Sequence, residues 1–222
     1  MKIANACLTT ALVAGLAFSG PTLATEAKIT PTLDAVEVIH NGQIVSISRS
    51  HEKAATIPEI YQKTSRGCPP FCVQPIAVAP GVETIGELEM LDYLSQMSKG
   101  DKSILVVDSR TPDWAMRGTI PGSVNIPWTR INQDTEGTFM TPAEADTLTS
   151  VLTEQCGATQ TNGSWDFAKA KTLVLFCNGI WCAQSSINIK TLVDLGYPPE
   201  RIKWYRGGMQ DWVSVGLTTV QP

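Results

Sequence analysis

The sequence predicts an α/β fold in which a mainly parallel sheet carries helices on both faces, preceded by an N-terminal β-hairpin appendage. Three observations predict it. Two short, unbroken apolar runs, ILVV within Ser103–Asp108 and LVLF within Lys171–Phe176, have the length and composition of strands buried on both faces. These runs alternate with stretches of helical periodicity, the order that produces parallel strands joined by helical crossovers. Upstream, Ala35–Arg49 reads AVEVIH-NG-QIVSISR, with alternating apolar positions on either side of Asn41-Gly42. Asn-Gly suits a two-residue hairpin turn, because both central residues need φ > 0.

An isolated hairpin is marginal in water, so this one must pack on the rest of the chain. His40 and His51, in and just after it, have no ligand-spaced partner and read as surface or turn histidines. Thr64–Gly81 is irregular, because four prolines deny it ladders and helix interiors. It reads as a linker laid over the main domain. Thr84-Ile85-Gly86-Glu87 then opens a helix towards Ser98, with Leu88, Leu91, Tyr93 and Leu94 as its apolar stripe. After the Ser103–Asp108 strand, Pro112 to Gly118 suits a short helix with proline in its first turn, and Ser123 to Ile126 a second strand. Thr141-Pro142-Ala143-Glu144 is a helix start, with Thr141 as N-cap and Glu144 at the third position, running to about Gln155 and closed by Cys156 and Gly157. A polar stretch follows to Asp166. The Lys171–Phe176 strand leads to a helix from Ala183 to Leu195, a strand from Arg201 to Tyr205 and a last helix from Met209 to Val215. The expected domains are a signal peptide over 1–24, the hairpin and proline-rich linker over 25–83, and the α/β domain over 84–222.

The 222 residues carry a formal charge of −4 and no basic block, which argues against a nucleic-acid partner. Met1-Lys2, an apolar stretch from about Ala6 to Phe18 and the small-residue site Thr22-Leu23-Ala24 read as an export signal cleaved near Ala24. The run is shorter than the ~20 residues of a spanning helix, so no stable membrane anchor is expected after cleavage. The expected location is periplasmic or secreted. Five cysteines then remain: Cys68, Cys72, Cys156, Cys177 and Cys182. In an oxidising compartment an odd number leaves at least one thiol unpaired within the chain. Cys68-Pro-Pro-Phe-Cys72 reads foremost as a short structural disulfide, with metal binding or free thiols as alternatives. Cys156, at a helix end, reads as packed and inert. Trp204, Trp212 and Met209 read as core. No cofactor and no metal are expected.

The chemistry concentrates in LVLFC-NGIWCA-QSSINIKTLVDLGY. Cys177 ends a buried strand, and Asn178, Gly179, Ile180, Trp181, Cys182 and Ala183 form a loop into a helix N-terminus. Sites of open α/β sheets form at the carboxyl ends of strands. Backbone N–H groups at a helix start point at whatever occupies the loop and favour an anion there. A thiol so placed has a lowered pKa and greater nucleophilicity.

Three segments in order carry a family resemblance. ILVVDSRTPDWAMRGTIPGSVNIP, FCNGIWCAQSS and YRGGMQDWVSVGL resemble the rhodanese (sulfurtransferase) family, over about Thr84 to Val220. The resemblance implies a single rhodanese-like domain, with Asp108 and Arg110 as structural support for the site and Cys177 as the persulfide-forming nucleophile. Thr119 stands where the family usually has histidine. The loop contains no cation, whereas thiosulfate-using members commonly carry Arg or Lys in it. Arg206 and Lys190 are the candidates to supply one from outside. Trp181 and Ile180 instead offer an apolar rim suited to a persulfide or a protein thiol. The phosphatase relatives of this fold need Cys-x5-Arg, and Ala183 occupies the arginine position. Cys182 is read in two ways, as a resolving thiol able to form a disulfide with Cys177 or as a small residue capping the loop.

Two functions follow. In one, a sulfurtransferase carries sulfane sulfur on Cys177, with a small sulfur donor or a protein persulfide or thiol as partner. In the other, the same fold is a non-turnover binding or thiol-redox module using Cys177 and Cys182.

Overall fold

The structure is a computed structural model that describes residues 27–132 and 147–222. The expected signal peptide and the helix start at Thr141 lie outside the described residues. Five parallel strands form the central sheet in the order β3 (Glu83–Ile85), β9 (Ile202–Tyr205), β8 (Thr172–Phe176), β4 (Ile104–Asp108), β5 (Val124–Asn125). Side chains alternate across a strand, and here the alternation separates two cores. Leu105, Val107, Leu173, Leu175, Ile202 and Trp204 face one side, packing with Leu152, Ile189 and Leu192. Ile104, Val106, Val174, Phe176 and Tyr205 face the other, packing with Met90, Leu94 and Trp212. Every residue of β4 is buried, which is why its sequence is an unbroken apolar run rather than an alternating one, and the short helix α3 (Pro112–Ala115) follows it.

The first core is closed by helix α4 (Gln184–Asp194) and by the helix that ends in a π-turn at Val151–Gln155, capped by Cys156. The second is closed by α2 (Glu87–Ser98), by α5 (Gly208–Ser214) and by the hairpin of β1 (Ala35–His40) and β2 (Gln43–Ser48). The hairpin turns at Asn41 (φ 49°) and Gly42 (φ 76°), as its sequence predicts. Val38 and Ile47 are buried at 1 % and 0 % exposure against α2, so the hairpin completes this core.

Four local readings are corrected. Thr84 and Ile85 belong to strand β3, not to the helix. Gly86 is the N-cap, its N–H donating to Glu89 Oε2 at 3.0 Å, so the helix starts at Glu87. Within α2, Met90, Leu91 and Leu94 are buried while Leu88 is half exposed, because the core-facing stripe runs through Met90. The polar stretch before Asp166 folds as a second hairpin, β6 (Thr159–Thr161) and β7 (Ser164–Asp166), about Asn162 and Gly163, both at positive φ. That turn is another Asn-Gly, and polar flanks hid it. His40 is buried, not superficial: its Nδ1 accepts from Gly122 N–H at 3.2 Å, leaving the protonated Nε2 to donate to the Gln221 carbonyl at 3.0 Å. His51 is exposed, as expected.

Residues 64–81 lie over the domain as a strap, tied to a short helix α1 (Glu59–Gln62) and closed on itself by a Cys68–Cys72 disulfide. Among the described residues no helix is long and apolar enough to cross a membrane.

Candidate active site

Cys177 follows the last residue of β8, and its loop leads into α4, as the sequence predicts. The loop is held from behind by the Gly207-Gly208 turn. Met209 N–H donates to the Cys177 carbonyl at 3.0 Å and Gln210 N–H to the Asn178 carbonyl at 2.9 Å. Gly208 has φ +56°, and a Cβ there would collide with the Cys177 carbonyl oxygen. Only glycine permits that approach.

The thiol itself is enclosed, with Cys177 at 2 % and Cys182 at 4 % exposure. Protonated, its Sγ donates to the Cys182 carbonyl at 3.3 Å. Ser185 Oγ lies 3.1 Å from the same sulfur, and Trp204 Nε1 lies 3.0 Å from Ser185 Oγ. The indole N–H can only donate, so Ser185 accepts it and is left with one proton, which it gives to Cys177. Trp204 therefore sets the direction of the Ser185 hydrogen bond.

Burial alone would push the Cys177 thiol up. The Cys182 side chain, the Ser185 hydroxyl and the backbone N–H groups of Ser185 and Gly179 more than offset it, and the thiol falls to about 7. Cys182 moves the other way, well above the usual range, through burial and then through the neighbouring Cys177. The pair thus divides into one group that ionises near neutral pH and one that stays a thiol, its Sγ 3.5 Å from Gln184 Oε1. Cys156 is buried and pushed up to about 12 by desolvation, which makes it inert at neutral pH. Ser185→Ala removes one hydrogen bond to a charged sulfur, worth about 1.5–3 kcal/mol, so the Cys177 pKa should rise by about one to two units. Alkylation rate against pH measures it. An unchanged midpoint would show that the backbone N–H groups suffice.

Asp108 and Arg110 stand behind the loop, where Ser109 N–H donates to the carbonyl of Phe176, the residue before Cys177. Arg110 is fully buried and grips Asp108 with two bonds, Nε to Oδ1 at 2.8 Å and Nη2 to Oδ2 at 2.5 Å. Its other donors reach Tyr61 Oη at 3.1 Å, the Trp114 carbonyl at 3.2 Å and the Gly118 carbonyl at 2.8 Å. Burial lowers the Arg110 pKa, and the hydrogen bond and charge of Asp108 raise it further than that, so the guanidinium stays charged. Thr119 donates to Asp108 Oδ2 at 2.7 Å, which gives the threonine at the family's histidine position a structural part in this network.

Arg206 does not serve the loop as the external cation that the sequence suggests. Its Nε and Nη2 donate to the carbonyls of Gln74 and Pro75, at 2.9 Å to Pro75 and 2.7 Å to Gln74, and pin the strap down. Lys190 is exposed on α4. The strap is what sequence reasoning missed. Gln74 N–H donates to the Ile180 carbonyl at 2.8 Å, and Ser186 Oγ donates to Gln74 Oε1 at 3.0 Å. Phe71 meets the Trp181 ring edge-on at 5.7 Å, and the Arg66 guanidinium stacks 3.8 Å from that ring's centroid. Trp181 Nε1 donates to Gln210 Oε1 at 2.8 Å, and Gln210 Nε2 donates to the Tyr61 carbonyl at 3.0 Å. Proline content marks such a segment as irregular, but nothing in it specifies which loop it covers.

Among the described residues, no three side chains of His, Cys, Asp and Glu gather as a metal site. Trp204, Trp212 and Met209 fill the core.

Residues 90–215 match the family model described as the rhodanese-like domain. No curated protein matches the chain. Solved structures similar to it include the BH2092 protein of Bacillus halodurans, 21% identical, covering 59% of this chain and 70% of that one at a TM-score of 0.36. A human single-domain sulfurtransferase is 20% identical, with 60% and 96% covered and a TM-score of 0.36. A rhodanese-related protein of Thermoplasma volcanium is 20% identical, with 62% and 97% covered and a TM-score of 0.33.

Proposed function

From the premise that this chain belongs to the rhodanese-like domain family, we propose that it is a sulfurtransferase that carries sulfane sulfur as a persulfide on Cys177 and passes it to a thiol or another nucleophile. The observation that carries the reading is the set of hydrogen bonds that lowers the Cys177 thiol to about 7 inside an enclosed loop. At neutral pH about half of the sulfur is then thiolate, ready to attack the outer sulfur of a donor. The same N–H groups and the Ser185 hydroxyl would hold the terminal sulfur of the persulfide. The Asp108–Arg110 pair keeps the ends of β4 and β8 in place behind the loop. We propose further that the protein works outside the cytoplasm, after loss of residues 1–24, with a small sulfur donor or a protein persulfide or thiol as partner.

A thiol-redox role is favoured by one observation, the burial of Cys177 and Cys182 in one cluster with Cys177 Sγ 3.3 Å from the Cys182 carbonyl. Attack of the Cys182 thiolate on the Cys177 sulfur of the persulfide would form a Cys177–Cys182 disulfide and release the outer sulfur as sulfide. Intact-mass measurement separates the two. Incubation with thiosulfate, polysulfide or a persulfide donor should add one sulfur atom to the protein, and a thiol acceptor should remove it over repeated cycles. Loss of two hydrogens without sulfur gain, in every donor, would favour the redox module.

A further inference from the structure

The loop around Cys177 contains no cation, yet sulfane donors are commonly anions. Three arginines among the described residues lie beside the loop or the strap that covers it. Arg110 spends its donors on Asp108, Tyr61 and two carbonyls, and its charge is balanced by Asp108. Arg206 spends its own on the strap carbonyls of Gln74 and Pro75. Arg66 differs. Its Nη2 donates to the Ile60 carbonyl at 3.2 Å, while its Nε is buried and has no hydrogen-bond partner.

We propose that Arg66 is the specificity-determining residue that recognises the oxyanion of the sulfur donor, with thiosulfate as the donor class. The proposal rests on the persulfide reading above. The guanidinium stacks on Trp181, and Trp181 shares one buried cluster with Cys177 and Cys182. The charge therefore rests on a side chain that encloses the reacting thiol. Its position is fixed from both sides. The Cys68–Cys72 disulfide and the Phe71 N–H to Gly67 carbonyl bond, 3.0 Å, close a tight turn directly after Arg66, and Phe71 at the end of that turn meets the same indole. A buried donor without an acceptor is unfavourable, and an anionic oxygen is the acceptor that a guanidinium binds best. The cation that family members commonly carry inside the loop is here delivered by the strap.

The step balances without an oxidant. The Cys177 thiolate attacks the outer sulfur of thiosulfate, the S–S bond of thiosulfate breaks, and its electron pair leaves with sulfite. Three negative charges enter, two on thiosulfate and one on the thiolate. The same three leave, one on the persulfide and two on sulfite. Arg66 would bind the sulfonate end throughout, before and after it becomes sulfite.

The test uses the full chain with the strap disulfide intact, checked by thiol counting. Arg66→Gln should lower kcat/KM for thiosulfate-dependent persulfide formation by about 10- to 100-fold, mostly through KM, and flatten its dependence on salt. Arg66→Lys should recover part of the loss, because it restores the charge without the planar fork. Discharge of a polysulfide-loaded persulfide to neutral dithiothreitol should match wild type in both variants. Equal kcat/KM for wild type and Arg66→Gln would overturn the proposal, as would equal losses in loading and discharge. A wild type that loads from polysulfide but not from thiosulfate would also overturn it. Failure of wild type to load from any donor would instead remove the persulfide reading, and this inference with it.

Discussion

Cys177→Ser should abolish persulfide formation, leaving no one-sulfur mass gain after any donor, while Cys156→Ser should load as wild type does. The contrast follows from where each sulfur sits. Both are buried, but Cys177 receives donors from the loop and α4 that bring it to about 7, whereas desolvation takes Cys156 to about 12. At pH 7 only the first has an appreciable thiolate fraction, and serine offers no accessible anion. Loading by wild type should rise with pH and reach half its maximum near 7. The same depression links to stability. The folded thiol lies below its ordinary value of 9.0, so its contribution is fully present above pH 9 and is lost as pH falls through about 7. The stability of wild type relative to Cys177→Ser should therefore increase between pH 7 and 9, read from denaturant midpoints. A gain of sulfur that survives in Cys177→Ser and vanishes in Cys156→Ser would place the reactive thiol elsewhere.

The second large effect concerns the fold. Arg110→Met should destabilise the protein by about 3–5 kcal/mol, the cost of leaving a partner charge buried and uncompensated. Asp108 and Arg110 both have 0 % exposure, and the guanidinium also satisfies Tyr61 and the Trp114 and Gly118 carbonyls, so its loss strands several buried groups at once. Replacing both members, Asp108→Leu with Arg110→Met, should recover much of the loss, because a well-packed apolar pair carries no desolvation penalty. Urea unfolding of the three variants checks this. A loss under about 1 kcal/mol in the single variant would show that the network counts for little.

The legible part of this protein was the part governed by local rules. Unbroken apolar runs marked β4 and β8 because both of their faces are buried, and Asn41-Gly42 marked the first hairpin because its backbone needs positive φ. Asn162-Gly163 obeys the same rule, yet its strands are short and mostly exposed, so no alternation flagged them. Cys177 was legible from its place between a strand and a helix. Ser185 and Trp204 were not, because their hydrogen bonds join α4 to β9 across nineteen residues of sequence. Arg66 was hidden further still. Its contact with Trp181 spans more than a hundred residues and depends on a segment whose sequence says only that it is irregular. Arg206 was singled out by its motif, and the strap that no pattern placed had already taken its donors.

A disulfide between residues four apart closes so small a ring that it stabilises a whole protein by only about 2 kcal/mol. Its effect is local. It closes residues 68–72 into one piece, and residues 66–72 are held by the Arg66 bond to the Ile60 carbonyl and by the contacts of Arg66 and Phe71 with Trp181 rather than by either core. Such a unit is expected to detach and return with the sheet untouched, a sub-global opening far below the free energy of unfolding. Amide exchange would show it as a protection step shared by the strap and the Cys177 loop and absent from β4 and β8. If the thiol serves a large partner as proposed, the frequency of their meeting would be set by this excursion, and the rate could be tuned in the strap without touching the sulfur.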